Sequence, residues 1–130
     1  MNTYRILHAD DEFPILEVVQ DLLHSRVRAK PYRVEYVGIS TAEEFFRRYG
    51  KGFPIAVIDN DLSYPNEGFQ TLLRLGREEK LTGKNFLYSS SFSSEQKEVL
   101  ESFGVTCLYK ENPIVLVNSL VALLDAEESS

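Results

Sequence analysis

Short apolar runs alternate along this chain with longer stretches in which apolar residues recur every three or four positions. The first pattern is that of buried strands and the second that of amphipathic helices. Tyr4 to Ala9 reads as a strand that ends in Asp10-Asp11-Glu12, and Pro14 then suits a first helical turn. Ile15, Val19, Leu22 and Leu23 supply that helix with an apolar face, which is expected to fray through Ser25 and stop before Pro31. Tyr32 to Val37 is a second strand. Ser40-Thr41 with Glu43 and Glu44 is a capping signal, followed by the apolar stripe Ala42, Phe45, Phe46 and Tyr49 and closed by Gly50 and Gly52.

The third strand, Ile55 to Ile58, is all apolar, too short for a helix and suited to burial on both faces. It stops abruptly at Asp59-Asn60-Asp61-Leu62. A loop with Pro65-Asn66 and Gly68 leads to a helix carrying Phe69, Leu72, Leu73 and Gly76. Asn85 to Tyr88 is a fourth strand running into Ser89-Ser90-Ser91, and Ser93 with Gln96 forms a capping box for a helix whose Val99, Leu100 and Phe103 are expected to face inward. After Gly104, Val105 to Tyr109 is a fifth strand with Lys110 at its end. Asn112-Pro113 starts a last helix with Val117, Leu120, Val121 and Leu124 on one face, and from Ala126 the tail is polar and expected to fray.

Five strands alternating with five helices, without repeats or low-complexity linkers, imply right-handed crossovers and a parallel sheet covered on both sides. The 130 residues fit one α/β domain, spanning 1–130, that needs no disulfide or structural metal to hold its core. Cys107 is the single cysteine and lies in an apolar run. That favours a packing role and a reducing, cytoplasmic compartment. A net charge of −6 and the lack of a basic stripe argue against direct nucleic-acid binding. No apolar segment is long enough to span a bilayer; Pro113 to Leu124 is interrupted by Asn118 and Ser119.

In a parallel sheet all the strand ends meet at one edge, where ligands collect. That edge gathers Asp10, Asp11, Asp59, Ser89 and Lys110. Three carboxylates a few ångströms apart repel by roughly 4 kcal/mol per pair at ~4 Å in an effective dielectric of about 20. A cation must hold them, and a hard divalent ion such as Mg²⁺ suits all-oxygen ligands. Lys110 adds a second cation and the Ser89 hydroxyl a donor, which together suit phosphoryl transfer onto Asp59 as nucleophile. Taken singly, each residue has a plainer role: Asp10 and Asp11 as helix caps, Lys110 and Ser89 as solvated loop groups, and His8 as a core histidine. Their joint placement at the ends of four strands favours a site.

Over essentially its whole length the chain resembles a bacterial response regulator receiver domain. Ile6-Leu7-His8-Ala9-Asp10-Asp11-Glu12 is similar to the family's first strand and acidic pair, Asp59-Asn60-Asp61-Leu62 to its acceptor aspartate with an apolar residue three later, Ser89 to its switch hydroxyl and Lys110 to its lysine. The resemblance implies a flavodoxin-like fold of strand order 2-1-3-4-5. It also implies Mg²⁺ bound by Asp10, Asp11, Asp59 and the backbone carbonyl of Asp61, and phosphorylation of Asp59 by a sensor histidine kinase or phosphotransfer protein. Output to a downstream protein target would pass through the face of the fourth helix, fifth strand and fifth helix. Such a module undergoes its own phosphoryl transfer and is not a turnover enzyme. The resemblance covers no output domain, so the chain is expected either to act by docking or to be part of a longer protein.

Pro65 stands four residues after Asp61, the family's usual spacing from the acceptor, which makes Asp61 a rival to Asp59. Asp59 is preferred because it follows Val57-Ile58 directly, because choosing Asp61 would bury an unpaired Asp59 within the strand, and because Leu62 then takes the apolar position. Two departures stand out. Cys107 replaces the aromatic residue three before the lysine, so switching would be weakened or rerouted through Tyr109 or Tyr88, and Glu111 rather than proline follows Lys110. They keep open an alternative, a pseudo-receiver that binds proteins without phosphorylation. A flavodoxin-like small-molecule binder is a distant third, as no Gly-rich loop follows the first strand.

Overall fold

The structure is a computed structural model that describes residues 1–130. In chain order its elements are β1 (Asn2–Ala9), α1 (Phe13–Val27), β2 (Tyr32–Ile39), α2 (Ala42–Arg48), β3 (Ile55–Ile58), α3 (Glu67–Arg77), β4 (Lys84–Ser89), α4 (Ser94–Ser102), β5 (Thr106–Tyr109) and α5 (Pro113–Glu128). The strands form one parallel sheet ordered β2-β1-β3-β4-β5, as the receiver-like reading implies.

β3 shows why the sheet is buried on both sides. Side chains alternate faces along a strand. Ile55 and Val57 enter a core shared with Leu16, Val19 and Leu23 of α1 and Leu116, Leu120 and Leu124 of α5. Ala56 and Ile58 enter a second core with Phe45 of α2, Leu72 of α3 and Leu100 of α4. The continuous apolar run is thus the signature of two cores served by one strand.

Local chemistry sets the helix starts. Thr41 Oγ1 accepts from the Glu44 amide, Asn112 Oδ1 from the Ile114 amide, and Ser93 and Gln96 complete the reciprocal capping box. Glu12, the residue before α1, makes no side-chain cap; Asp10 Oδ1 instead accepts from the Glu12 amide at 2.8 Å. Neither Asp10 nor Asp11 caps α1 at the N-cap position.

Two expectations are corrected. Val99 and Phe103 do not join Leu100 in the core: they are 38 % and 39 % exposed, because α4 buries only Leu100 fully and Phe103 lies flat against Gly76 of α3. The polar end of the chain is helical through Glu128 rather than frayed from Ala126, with Asn2 Nδ2 donating to Glu128 Oε1 across the fold.

Candidate functional site

Four strand ends meet at the carboxyl edge, and those of β1, β3 and β5 each extend their ladder by one backbone bond. The amide of Asp10 donates to Ile39, that of Asp59 to Ala9 and that of Lys110 to Ser89. The site's backbone is therefore as fixed as the sheet beneath it.

The side chains converge on Lys110. Its Nζ lies 2.6 Å from Asp10 Oδ2, 2.7 Å from Glu12 Oε2 and 3.1 Å from Asp59 Oδ2. The Asp59 contact is an aligned hydrogen bond, whereas Asp10 Oδ2 is in ion-pair contact without a hydrogen-bond partner of proper geometry. Asp59 is 4 % exposed and Asp10 fully buried. Burial pushes the Asp10 carboxyl up to about 6, opposed by Lys110 and the Glu12 amide. It raises Asp59 as well, against the Ser89 hydroxyl, Lys110 and the Asp61 amide, all of which favour the carboxylate. For Lys110 burial works against the charge, but its close contacts with the Asp10 and Glu12 carboxylates and the charges of Asp10 and Asp59 outweigh it, and the ammonium is held above its usual range.

Asp11 is exposed, yet one carboxylate oxygen from each of Asp10, Asp11 and Asp59 lies within 4.8 Å of the others. This donor set is all oxygen and all anionic. It fits a hard divalent cation such as Mg²⁺. Asp61 does not share its side chain with this group: Asp61 Oδ1 accepts from the Asn66 amide in the loop before α3. Ser89 is fully buried at the end of β4, its hydroxyl accepting from the Ser91 amide and favouring the charged form of Asp59.

Several participants escaped the sequence reading. Glu12 is one; its place directly after two acids marked it as part of a helix start rather than as a lysine partner. Asn60 is another. Its Oδ1 accepts from Phe69 N, and its Nδ2 donates to Ser91 O at 2.8 Å and to Asn66 Oδ1 at 3.2 Å, while Gln96 Nε2 donates to the same Asn66 oxygen at 2.9 Å. This amide cluster ties the loop after Asp59 to the start of α4. His8 is a core residue, as read, but only half satisfied: Nδ1 lies 2.7 Å from the Tyr36 hydroxyl and Nε2 has no partner. Cys107 is buried, and burial followed by the Glu101 charge pushes its thiol up to about 11.

No protein-family model matches the sequence, and no curated protein matches it. Solved structures do. A response regulator receiver domain protein (CheY-like) from Methanospirillum hungatei JF-1 is 24% identical with a TM-score of 0.74, the match covering 98% of this chain and 98% of that one. A response regulator receiver protein from Pseudoalteromonas atlantica is 14% identical with a TM-score of 0.73, over 95% of this chain and 98% of that one. The signal receiver domain of the putative response regulator NarL from Mycobacterium tuberculosis is 16% identical with a TM-score of 0.69, over 100% of both chains. From one end to the other, the chain has the fold of a response regulator receiver domain.

Proposed function

We propose that this chain is a phosphorylation-dependent signalling module of a two-component system, with Asp59 as the acceptor. A carboxylate oxygen of Asp59 forms a bond to phosphorus as the donor's P–N bond breaks, and the electron pair returns to the donor histidine of a sensor kinase or phosphotransfer protein. The observation that carries this reading is the Asp59 carboxylate itself: nearly buried at a strand end, bonded to Lys110 at 3.1 Å, with the acidic pair beside it. No general base is needed, since the acceptor reacts as a carboxylate. Lys110 and Ser89 serve as donors to the oxygens of the incoming group. Asp10, Asp11, Asp59 and the Asp61 backbone carbonyl would hold Mg²⁺, which when bound supplies positive charge that shields the acids from an approaching anion.

The protein is itself the modified product, so it acts as a signalling module rather than as an enzyme on an external substrate, and its setting is the cytoplasm. Output is assigned to the face made by α4, β5 and α5, where Val99, Phe103, Tyr109, Ile114 and Val115 are exposed. The experiment is labelling by a small phosphodonor with and without Mg²⁺. Wild type and Asp61→Asn are expected to be labelled only with the metal, and Asp59→Asn not at all. Labelling that survives in Asp59→Asn and disappears in Asp61→Asn would move the acceptor to Asp61. A pseudo-receiver is the second reading, favoured by Cys107 at the switch position; wild type that binds Mg²⁺ or a partner yet never labels would establish it.

A further inference from the structure

α3 begins without the cap its sequence offers. Asn66 stands at the N-cap position, where an asparagine side chain ordinarily accepts from the second or third helical amide; here it makes no such bond. Both amides go to Asn60 instead: Gly68 N donates to Asn60 O and Phe69 N to Asn60 Oδ1, each at 2.9 Å. The residue directly after the proposed acceptor therefore caps the helix that follows it. Asn60 is fully buried, and its Nδ2 donates at 2.8 Å to Ser91 O, in the loop that leaves Ser89. Ser91 N in turn donates to Ser89 Oγ at 3.3 Å.

Relieved of capping, the Asn66 side chain takes other partners. Its Oδ1 accepts from Asn60 Nδ2 at 3.2 Å and from Gln96 Nε2 at 2.9 Å. Gln96 lies in the first turn of α4, where its Oε1 accepts from Ser93 N at 3.0 Å. Backbone partners fix these orientations. The Phe69 and Ser93 amides only donate and the Ser91 carbonyl only accepts, so Gln96 Nε2 is a donor and the Asn66 atom it meets is the oxygen. Asn66 has a left-handed backbone, φ 65°, and its amide donates to Asp61 Oδ1 at 3.0 Å. Three side-chain amides thus join residues 59–61, the start of α3 and the start of α4 in one hydrogen-bonded junction.

We infer that this junction couples the acid cluster to α4. Asn66 and Gln96 are positioning residues that hold the segment Asp59-Asn60-Asp61 against the first turn of α4, so a cation seated on Asp10, Asp11 and Asp59 stiffens that turn, and loosening the turn weakens the cation. Such coupling is reciprocal, which makes it visible from either end. The inference rests on the reading of the acid cluster as a divalent-cation site and does not depend on phosphorylation of Asp59.

Mg²⁺ titration and amide hydrogen exchange on the full chain test it. Asn66→Gly keeps the left-handed backbone and the amide bonded to Asp61 while removing the shared oxygen. Gln96→Glu keeps the oxygen that accepts from Ser93 N, as glutamate does in a capping box, while removing the Nε2 donor. In wild type, Mg²⁺ should slow exchange of the Gln96 and Lys97 amides as it shifts the signals of Asp59 and Asp61. In either variant the slowing should vanish and the Mg²⁺ midpoint should rise about fivefold, at the low end for coupled sites. The charge added by Gln96→Glu would by itself tighten Mg²⁺, so weaker binding there cannot come from charge. Wild type that binds Mg²⁺ without slower exchange in α4, slowing that persists in Gln96→Glu, or a midpoint that rises in neither variant would each overturn the junction's role and leave the cation site standing. Wild type that does not bind Mg²⁺ would overturn both. Gln96→Glu decides alone if Asn66→Gly fails to fold.

Discussion

At the scale of single residues, Gly68 carries more than the turn it was read as. Its amide donates to Asn60 O, and a Cβ built there would stand 2.0 Å from Asp59 O and 2.9 Å from Asn60 Cα. α3 therefore starts in backbone contact with the proposed acceptor, and only glycine fits. Gly68→Ala is expected to destabilise the fold by about 3 kcal/mol, at the upper end of overpacking costs; urea unfolding measures it, and a loss below about 0.5 kcal/mol, the scatter of surface substitutions, would refute the contact. Cys107 gives a pH prediction. With its thiol pushed up to about 11, the thiolate is scarce at pH 8 and grows only as pH approaches that value. Alkylation of the folded protein at pH 8 should be far slower than in urea, and equal rates would contradict the burial. The acids and Lys110 were legible because each ends an apolar run. Gly68 and Glu12 were not, because close approach and ion pairing across 98 positions of sequence are set by packing alone.

Elements were legible wherever a cap or a period marked them. Thr41, Ser93 and Asn112 each cap as their sequence context implies, and β3 begins and ends where the apolar run does. β1, β2 and β4 run a residue or two beyond the apolar runs because pairing with a neighbour, such as Asn2 with Tyr32, extends a strand past its apolar residues. The errors have one cause. Periodicity fixes which residues share a helix face but not how much of that face a neighbour covers, and so Val99 and Phe103 were assigned to the core. The capping box of α4 also belongs to a larger unit, since Gln96 bonds both Ser93 N and Asn66 Oδ1. Ser93→Ala should cost about 1 kcal/mol as an ordinary cap. Gln96→Ala loses both contacts, and its amide exchange should quicken at the start of α4 and in the loop around Asn66 together. Exchange that changes only in α4 would show that the two loops are not coupled.

For the whole molecule the question is how large a response the proposed modification produces. Inverting a two-state population from 1:99 to 99:1 needs roughly 5.5 kcal/mol of differential stabilisation. A phosphoryl group on Asp59 adds charge and strong acceptor oxygens. Yet Lys110 already bonds the unmodified carboxylate and the Ser89 hydroxyl already favours its charge, so modification strengthens existing interactions rather than creating them. Glu12 and Asp10 also compete for Lys110. Three residues before Lys110 stands buried Cys107, which offers less bulk than an aromatic ring. Between the site and the exposed face stands the stack of Phe92, in the loop after β4, on Tyr109 at the end of β5, with centroids 4.1 Å apart and planes 14° from parallel. A graded shift follows, in which the unmodified protein already binds its target and modification changes the affinity by about tenfold, or ~1.4 kcal/mol. Titration of the target with and without beryllofluoride measures the ratio. A change of several hundredfold would sink the weak-switch argument, whereas no change in a protein that does label would show that the α4, β5 and α5 face is not the output. If the stack carries the coupling, Phe92→Ala should bring the ratio close to one while leaving labelling of Asp59 intact.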